Sequence, residues 1–342
     1  MAPLDLKTSL ITDAPLISIV IAFYNIRECV DYCLKSVLEQ DFPSYEVVCV
    51  DDGSTDGTSS RLDMYEGHPN VVILHKENGG LSDARNYGIV HSRGKYISIV
   101  DGDDVISPKY LSELWHALPG EDGFAVGRTK QIPFAHASAS SNSWPSSYKV
   151  LPLSNQELIS QYMYEETLPG AWARLARREL YLNHPFPTGV RYEEIRTAAQ
   201  LVLSVKSCAL VEEPIYGYVL RSGSIVHEKN VRYKQITEYL EAIEVFLSEE
   251  PFFLAGSQEE ICFRCLHYSR IVRLLDSVKD GGEYTAKIRD NCINYIKTHL
   301  NEVCSDYRVP HGNRARFRLL TTSIALYRIA FNIYDRFGRG LK

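Results

Sequence analysis

Short apolar runs that each end in a polar or acidic cluster dominate the first third of the chain. The run Ile17–Phe23 precedes Tyr24-Asn25, the run 46–50 precedes Asp51-Asp52-Gly53-Ser54-Thr55-Asp56-Gly57, and the run 96–100 precedes Asp101-Gly102-Asp103-Asp104. Because β-branched residues are frequent in these runs, we expect them to form buried strands. The polar residues then stand where strands end, which constrains both the fold and the place of a site.

Helical patterns separate these strands. Apolar residues recur at helical spacing over 26–39, and further helices are predicted at 58–66 and 81–91, with another strand at 71–74. Strands that alternate with helices indicate a parallel, doubly wound α/β sheet, and such sheets bind ligands at the carboxyl ends of their strands. We therefore expect the polar clusters to face one crevice.

The second half of the chain has a different pattern. A serine-rich run at 138–147 predicts a loop or a lid over a site. Helices at 155–164 and 192–205 and short strands at 208–211 and 216–220 follow, and from residue 232 the pattern is helical (232–249, 257–277, 284–301 and 314–337). With 342 residues, the chain is long enough for one large α/β domain and a helical appendage.

Composition excludes several classes of protein. Apolar residues make up 45% and charged residues 23%, as in ordinary globular domains, which excludes a disordered or collagen-like chain. The formal net charge of −6 argues against a general nucleic-acid binder. The eight cysteines lack the pattern of a disulfide framework, and neither a secretory signal nor an apolar run of ~18 residues is present. We expect a protein of a reducing compartment that is soluble or at most bound to a membrane surface.

The acidic clusters indicate a cation site. Carboxylates concentrated at the ends of neighbouring strands repel each other unless a cation lies among them. The Asp101-x-Asp103 pattern directly after an apolar strand suits a hard divalent ion that also binds a diphosphate. Gly79-Gly80 opens a predicted helix, whose N-terminus and Arg85 would attract an anion. The alternative is ordinary loop chemistry, since acidic turns are also common helix N-caps.

Together these segments resemble the family 2 glycosyltransferases, whose domain has the GT-A fold. The resemblance is carried by 19–25, 50–56, 78–88 and 100–104, and more weakly by Trp172, Tyr192-Glu193-Glu194, 213–218 and Arg221-Ser-Gly-Ser-Ile225. It implies an α/β fold of the Rossmann-like GT-A type, a mostly parallel sheet with helices on both faces, followed by a C-terminal helical region. The implied domains are an N-terminal extension at 1–16, a GT-A domain at 17–228 with a nucleotide-binding half (17–128) and an acceptor half (129–228), and a helical region at 229–342.

The resemblance implies roles for the residues at the strand ends. Asp51 or Asp52 would hold the nucleotide base, since a carboxylate accepts the N3–H of uracil. The metal, Mn²⁺ or Mg²⁺, would bridge the diphosphate from Asp101 and Asp103. The other implied nucleotide-binding residues are Ala22, Tyr24, Asn25, Arg85, Asp101 and Gly102, and Asp104 would lie close by in the donor or acceptor pocket.

The resemblance also implies a general base in the second half of the chain. The family's base is an acidic residue that opens a helix, often within a Glu-Asp pair, and this chain has Glu193-Glu194 there. Glu194 matches the base and Glu193 remains a rival, while the plain alternative is that both complement a helix dipole. His227 is a candidate metal or phosphate ligand or else a surface residue. Trp172 is a candidate acceptor platform or else a core residue.

We therefore expect an inverting, metal-dependent glycosyltransferase of polysaccharide biosynthesis. Its donor would be a nucleotide sugar, with a UDP-sugar expected, and its acceptor a glycan or lipid-linked oligosaccharide. The alternatives are a non-catalytic carbohydrate-assembly subunit and a sugar-1-phosphate nucleotidyltransferase. The second is disfavoured because Tyr24-Asn25 stands where those enzymes have a glycine-rich loop with a basic residue. An NAD-dependent oxidoreductase is excluded, because no Gly-x-Gly-x-x-Gly follows the first strand.

The C-terminal segment is basic on an otherwise acidic chain. From Asn313 onward the only acidic residue is Asp335, against the basic residues Arg314, Arg316, Arg318, Arg328, Arg336, Arg339 and Lys342. Apolar residues recur every three or four positions over about 314–337, which predicts one basic amphipathic helix. Such a helix would lie on an anionic membrane and hold a cytoplasmic protein at the inner membrane face. Packing on neighbouring helices or a homodimer seam is the alternative.

Overall fold

The computed structural model describes residues 14–138, 143–164, 170–221, 233–248, 256–278 and 282–337. Of the predicted N-terminal extension it describes only 14–16, and the candidate ligand His227 lies outside the described residues. Packing divides the chain into two compact units, one formed by 1–159 and 169–225 and the other by 160–168 and 226–342. The first is an α/β unit and the second is helical.

The first four strands form the parallel half of the sheet that the sequence predicts. They are β1 (Ile17–Phe23), β2 (Tyr45–Asp51), β3 (Val71–His75) and β4 (Tyr96–Asp101), in the spatial order β3-β2-β1-β4. Helices α1 (Val30–Leu38), α2 (Thr58–Asp63) and α3 (Leu81–His91) connect them. The register pairs Phe23 with Asp51 and Ala22 with Asp101, so the polar clusters do meet at one edge of the sheet.

The remaining strands make the sheet mixed. The chain continues through β5 (Val105–Ile106), α4 (Tyr110–Ala117), β6 (Phe124–Pro133), β7 (Val150–Ser154), α5 (Asn155–Met163), β8 (Arg174–Arg177), α6 (Arg178–Asn183), α7 (Glu193–Leu203) and β9 (Ser207–Leu220). Strand β8 pairs antiparallel with both β4 and β6, and the full order is β3-β2-β1-β4-β8-β6-β9-β5, with β7 on β9. The sheet is therefore parallel over β3-β2-β1-β4 and mixed elsewhere.

Strand β9 differs from the sequence expectation of two short strands at 208–211 and 216–220. It is one strand of 14 residues that runs through Pro214. The extra residues lie on β9 itself, because the residues facing Gly127, Arg128 and Thr129 of β6 are Val211, Pro214 and Tyr216. Bulges of this kind let a strand pass a proline that cannot donate to the ladder.

The helical unit contains α8 (Tyr233–Ser248), α9 (Gln258–Leu275), α10 (Gly282–Thr298), α11 (Leu300–Ser305), α12 (His311–Thr322) and α13 (Ile324–Phe337). Helix α9 supplies much of its core, including Phe263, which stacks on Phe246 with ring centroids 4.8 Å apart. His267 is buried beside them and hydrogen-bonds the Tyr239 hydroxyl at 2.7 Å. All eight cysteines are free thiols, and burial raises the pKa of Cys262 to about 12, so the Cys262–Cys265 pair is an unreactive part of this core.

The predicted single helix over 314–337 is wrong, because α12 ends at Thr322 and α13 begins at Ile324. Ser323 lies between them in an extended conformation, and its side-chain oxygen accepts a hydrogen bond from the Leu326 amide at 3.3 Å, as an N-cap does. Part of the apolar stripe is core, since Phe317, Leu320 and Tyr327 are buried. Within the part of the chain that the structure describes, no helix is long and apolar enough to cross a bilayer.

Candidate active site

The loops after β1 and β2 are tied together by Asn25. Its backbone is left-handed (φ 50°), its amide donates to the Ser54 hydroxyl at 3.1 Å, and its side-chain oxygen accepts from the Thr55 amide at 2.8 Å. A non-glycine residue rarely adopts this conformation unless neighbouring bonds impose it. Tyr24 consequently stands at the rim with half of its surface (50%) exposed. Its ring offers a flat apolar face at the edge of the sheet.

Asp51 is buried and well supplied with donors. Burial opposes its charge, but hydrogen bonds from the Ser54 amide (3.1 Å), the Ser59 hydroxyl (2.5 Å) and the His75 ring (3.1 Å) lower the pKa of its carboxyl. Asp51 is therefore an ionised carboxylate at the end of β2.

Asp52 organises the glycine turn before α3. Its two carboxylate oxygens accept from the amides of Gly79 (2.9 Å) and Gly80 (2.8 Å), from Lys76 Nζ (2.7 Å) and from Asn78 Nδ2 (3.2 Å). These bonds bring the turn at 76–80 against the end of β2. The sequence-predicted choice between Asp51 and Asp52 as the uracil acceptor stays a prediction.

Arg85 joins the two halves of the site. From α3 its guanidinium donates to Asp101 Oδ1 through Nη2 and to Glu193 Oε1 through Nη1, each at 2.8 Å. The side chain is buried and lies 5.4 Å from the ring centroid of Phe186. The structure thus brings together three residues that the sequence predicted separately, at separations in the chain of 16 and 108 residues.

The acidic pair opens α7, as the sequence predicts. Tyr192 precedes it in a left-handed conformation (φ 63°), which turns the chain sharply into the helix. Burial, and then the negative charge of Glu193, raise the pKa of Glu194 to about 7, although Arg85 acts in the opposite direction. Glu193 is paired with Arg85, whereas Glu194 is a carboxyl group that exchanges a proton near neutral pH.

The end of β4 carries the Asp-x-Asp pattern on a tightly packed turn. Asp101 pairs with Arg85, and Asp103 Oδ2 accepts from Arg221 Nε at 2.7 Å. Between them, a Cβ on Gly102 would lie 2.8 Å from the Ala22 carbonyl oxygen and 2.7 Å from the Phe23 ring, so only glycine fits.

Asp104 has a different environment from its neighbours. It is buried, and its carboxylate accepts from the Tyr216 hydroxyl (2.7 Å) and the Val219 amide (2.8 Å), both of β9. This carboxylate ties β9 to the end of β4, so the structure gives Asp104 a supporting role. A contact of Asp104 with donor or acceptor stays a prediction.

Tyr216 is a site residue to which sequence reasoning assigned no role. Its buried hydroxyl also accepts from the Asp101 amide at 3.1 Å, and its ring stacks on Trp172 with centroids 5.1 Å apart and an interplanar angle of 19°. Trp172 is half-buried against this ring and lies next to Ala173, whose backbone is left-handed (φ 59°). Arg221 is a second site residue to which sequence reasoning assigned no role. Both residues lie in segments that carry the family resemblance, and this was the available signal.

Comparisons with known proteins concern the same part of the chain. The profile described as "Glycosyl transferase family 2" matches residues 18–182, which contain the polar ends of β1, β2 and β4. Residues 18–182 therefore belong to glycosyl transferase family 2. The chain is 28% identical to glycosyltransferase GlyG of Streptococcus pneumoniae serotype 4, over 81% of this chain and 94% of that protein.

Two further comparisons support the family 2 assignment and the fold. A stretch of 123 residues, 34% of the chain and 19% of the relative, is 37% identical to the poly(ribitol-phosphate) beta-glucosyltransferase of Bacillus spizizenii. The crystal structure of S. aureus TarS 1-349 in complex with UDP-GlcNAc superposes with a TM-score of 0.62 at 20% identity, covering 94% of this chain and 91% of that one. The protein is a glycosyltransferase with a GT-A fold, as the sequence predicts.

The site offers two protein carboxylates that could bind a cation together with the phosphates of a substrate. Among the described residues, no three carboxylate, imidazole or thiol side chains converge on one point. Asp101 and Asp103 nevertheless present two carboxylates at one turn, and each is matched by a positive guanidinium. Mg²⁺ and similar ions are commonly held by one or two carboxylates plus the phosphates of a substrate. The two aspartates fit a divalent ion on these terms.

Proposed function

We propose that this family 2 glycosyltransferase moves a sugar from a UDP-sugar to a hydroxyl group of a glycan or lipid-linked glycan, with inversion at the anomeric carbon. One observation carries the proposal: Arg85 holds Glu193 beside Asp101, and the adjacent Glu194 has a pKa of about 7. A base with that pKa is about half ionised near neutral pH, which is the range in which general-base catalysis is most effective.

Glu194 acts as the base. Its carboxylate takes the proton of the acceptor hydroxyl, the hydroxyl oxygen bonds to the anomeric carbon, and the bond from that carbon to the diphosphate oxygen breaks with its electron pair. Attack from the face opposite the leaving group inverts the configuration. Glu193 is committed to Arg85 and supports the position of α7.

Asp101 and Asp103 are the residues that would hold Mn²⁺ or Mg²⁺. When bound, such an ion supplies positive charge that stabilises the departing diphosphate. The guanidinium of Arg85 already adds a fixed positive charge beside Asp101, in a buried position where electrostatic interactions are stronger than in water.

Several features favour a uridine nucleotide and a polysaccharide-type acceptor. The ionised Asp51 at the end of β2 can accept a uracil N3–H, and the exposed Tyr24 ring can cover one face of a base. The structural neighbour TarS was crystallised with UDP-GlcNAc, and one relative is named as a glucosyltransferase acting on poly(ribitol-phosphate). Trp172, held on Tyr216, is the proposed acceptor-side platform.

A screen of nucleotide sugars tests this proposal. Thermal shift with Mn²⁺ across UDP-, GDP- and dTDP-sugars reports binding, because a ligand that binds only the folded state raises the melting temperature by mass action. We expect stabilisation by UDP and by one or a few UDP-sugars, followed by UDP release once an acceptor glycan is added. Stabilisation only by nucleotides with another base would contradict the proposed role of Asp51.

A further inference from the structure

Asp101 and Asp103, the candidate metal ligands that lie in the described part of the chain, are already paired with arginines. Asp101 accepts from Arg85 at 2.8 Å and Asp103 from Arg221 at 2.7 Å. Each guanidinium therefore supplies the positive charge that a crowded pair of carboxylates requires. A divalent ion that binds between these aspartates has to compete with at least one of the two arginines.

The two arginines differ in how firmly they are held. Arg85 has a second bond to Glu193, lies over the Phe186 ring, and its side chain is only 4% exposed. Removing it would take the ion-pair partner from the buried Glu193 carboxylate and from the partly exposed Asp101 carboxylate, so it is a fixed counter-ion. Arg221 follows the last residue of β9, bonds Asp103 through Nε, and its side chain is 15% exposed. Of the two arginines, Arg221 is the one with a single bond and the more exposed side chain.

We propose that Arg221 is an exchangeable counter-ion of the donor site: it neutralises Asp103 before the donor arrives and transfers to the diphosphate when a divalent ion takes its place. This inference rests on the proposed metal site at Asp101 and Asp103. A bound cation repels the guanidinium at ion-pair distance. The diphosphate of the donor then offers the displaced arginine a better partner, because the planar guanidinium matches phosphate oxygens with two parallel hydrogen bonds.

If Arg221 exchanges partners, its substitution should have an effect that the loss of a purely structural arginine would not have. In Arg221→Gln, Mn²⁺ no longer competes with a guanidinium, so its affinity in the absence of nucleotide rises by about three- to tenfold, the range expected for a partly buried charge-assisted bond. The affinity for UDP at saturating Mn²⁺ falls by a similar factor, because the diphosphate loses a partner. One substitution thus changes the two affinities in opposite directions.

The experiment measures Mn²⁺ binding by the EPR signal of free Mn²⁺, and UDP binding by calorimetry, on the full chain. Arg221→Lys keeps the charge but not the planar fork, and we expect wild-type-like Mn²⁺ affinity with weakened UDP binding. The control is Arg177→Gln, which removes ion pairs with Glu121 and Asp122 on the surface and should change neither affinity.

The outcomes separate this inference from the proposed function. If both affinities fall together in Arg221→Gln, or neither changes, Arg221 is structural and the exchange is wrong while the metal site stands. If the wild type binds no Mn²⁺ even with UDP, the proposed metal site is wrong and the exchange falls with it. Opposite changes in Arg221→Gln, with Arg177→Gln unchanged, support the exchange.

Discussion

Two opposing effects act on Glu194, and burial is the stronger. The N-terminus of α7 favours a carboxylate by roughly 0.3–1 kcal/mol, and Arg85 favours it as well. Burial and the charge of Glu193 nevertheless raise its pKa from 4.5 to about 7. The Arg85–Glu193 ion pair therefore has a consequence for the neighbouring side chain, since the charge of Glu193 helps to set the pH at which the proposed base works.

This balance predicts a pH dependence. Glu194 must be deprotonated to accept a proton, so kcat/KM should fall as the pH drops through about 7 in the wild type. Glu193→Gln removes the neighbouring negative charge, which lowers the pKa of Glu194, and the falling limb should move to lower pH. The measurement is a pH–rate profile of UDP release. A limb that stays in place in Glu193→Gln would contradict this coupling.

The assignment of the base is tested by a pair of variants. Glu194→Gln should keep UDP affinity and lose transfer by about 10²–10⁴, the usual cost of removing a general base. Glu193→Gln, which can still accept a hydrogen bond from Arg85, should lose much less. Turnover and UDP binding are measured on both variants. An inactive Glu193→Gln beside an active Glu194→Gln would assign the role to Glu193, and two active variants would remove the base from this pair.

The substitution Asp103→Asn tests the proposed metal site. Asp103→Asn keeps the size of the side chain and removes one of the two carboxylates, so UDP should bind more weakly and with little response to added Mn²⁺. Calorimetry with and without Mn²⁺ measures both effects. Unchanged affinity and unchanged metal dependence would show that Asp103 is no ligand.

At the scale of elements, one hydroxyl group connects β9 to the end of β4. Tyr216 donates to Asp104 and accepts from the Asp101 amide, and its ring supports Trp172. The proposed metal-binding turn and the proposed acceptor platform therefore share a single buried support, although they lie on different parts of the sheet.

Tyr216→Phe should weaken both stability and metal binding. The variant leaves the buried Asp104 carboxylate and the partly buried Asp101 amide short of a partner, which costs about 1–3 kcal/mol, and it loosens the turn that carries Asp101. The readouts are the free energy of unfolding and the Mn²⁺ affinity. Tyr239→Phe is the control, because it loses a buried hydrogen bond to His267 in the helical unit and should lower stability alone. Equal Mn²⁺ affinity in both variants would argue against the supporting role of Tyr216.

Hydroxyl side chains at the end of α12 cause the break between α12 and α13. Thr321 and Thr322 return side-chain hydrogen bonds to the carbonyls of Phe317 and Arg318, at 2.9 and 2.7 Å, and Ser323 then starts the next helix. Hydroxyl side chains compete with helical bonding in this way. The apolar spacing alone, which continues through the break, could not reveal it.

At the scale of the whole molecule, attachment to an anionic membrane remains a proposal for the C-terminal helices. Arg314 and Arg328 are engaged within the protein, the first with the carbonyls of Val309 and Tyr307 and the second with Asp276. Leu326 and Ile329, three residues apart on α13, are 53% and 56% exposed. The proposed membrane contact is therefore made by Leu326 and Ile329 together with the basic residues around them.

The test replaces that surface and leaves the core intact. Each basic residue near an anionic membrane contributes on the order of 1 kcal/mol, so we expect the full chain to sediment with acidic liposomes at low salt and less at high salt. Leu326→Gln with Ile329→Gln should reduce sedimentation without unfolding the protein, while Met64→Gln, an exposed residue of the α/β unit, should not. Absence of sedimentation for the wild type, or no effect of the double variant, would favour ordinary helix packing.

The sequence by itself determined the parallel half of the sheet and the place of the site. Buried β-branched strands such as β1 must bury both faces, and their polar ends must reach solvent, so local pattern and position in the chain sufficed. The family resemblance added the expected roles of residues such as Asp101 and Glu194, which stay predictions. Strands β6 and β8 were not predicted, because their short or partly polar runs become strands only through their neighbours in the sheet.

Only the tertiary structure decided which charges meet. Arg85, Asp101 and Glu193 are far apart in the chain, and no local pattern records that one guanidinium bridges both carboxylates. The same holds for Asp103 with Arg221, and for the different environments of Asp103 and Asp104. Electrostatic interactions depend on distance and burial, and both are properties of the folded chain. The sequence determined that the acidic groups lie at one edge of the sheet, and the fold decided which partner each of them has.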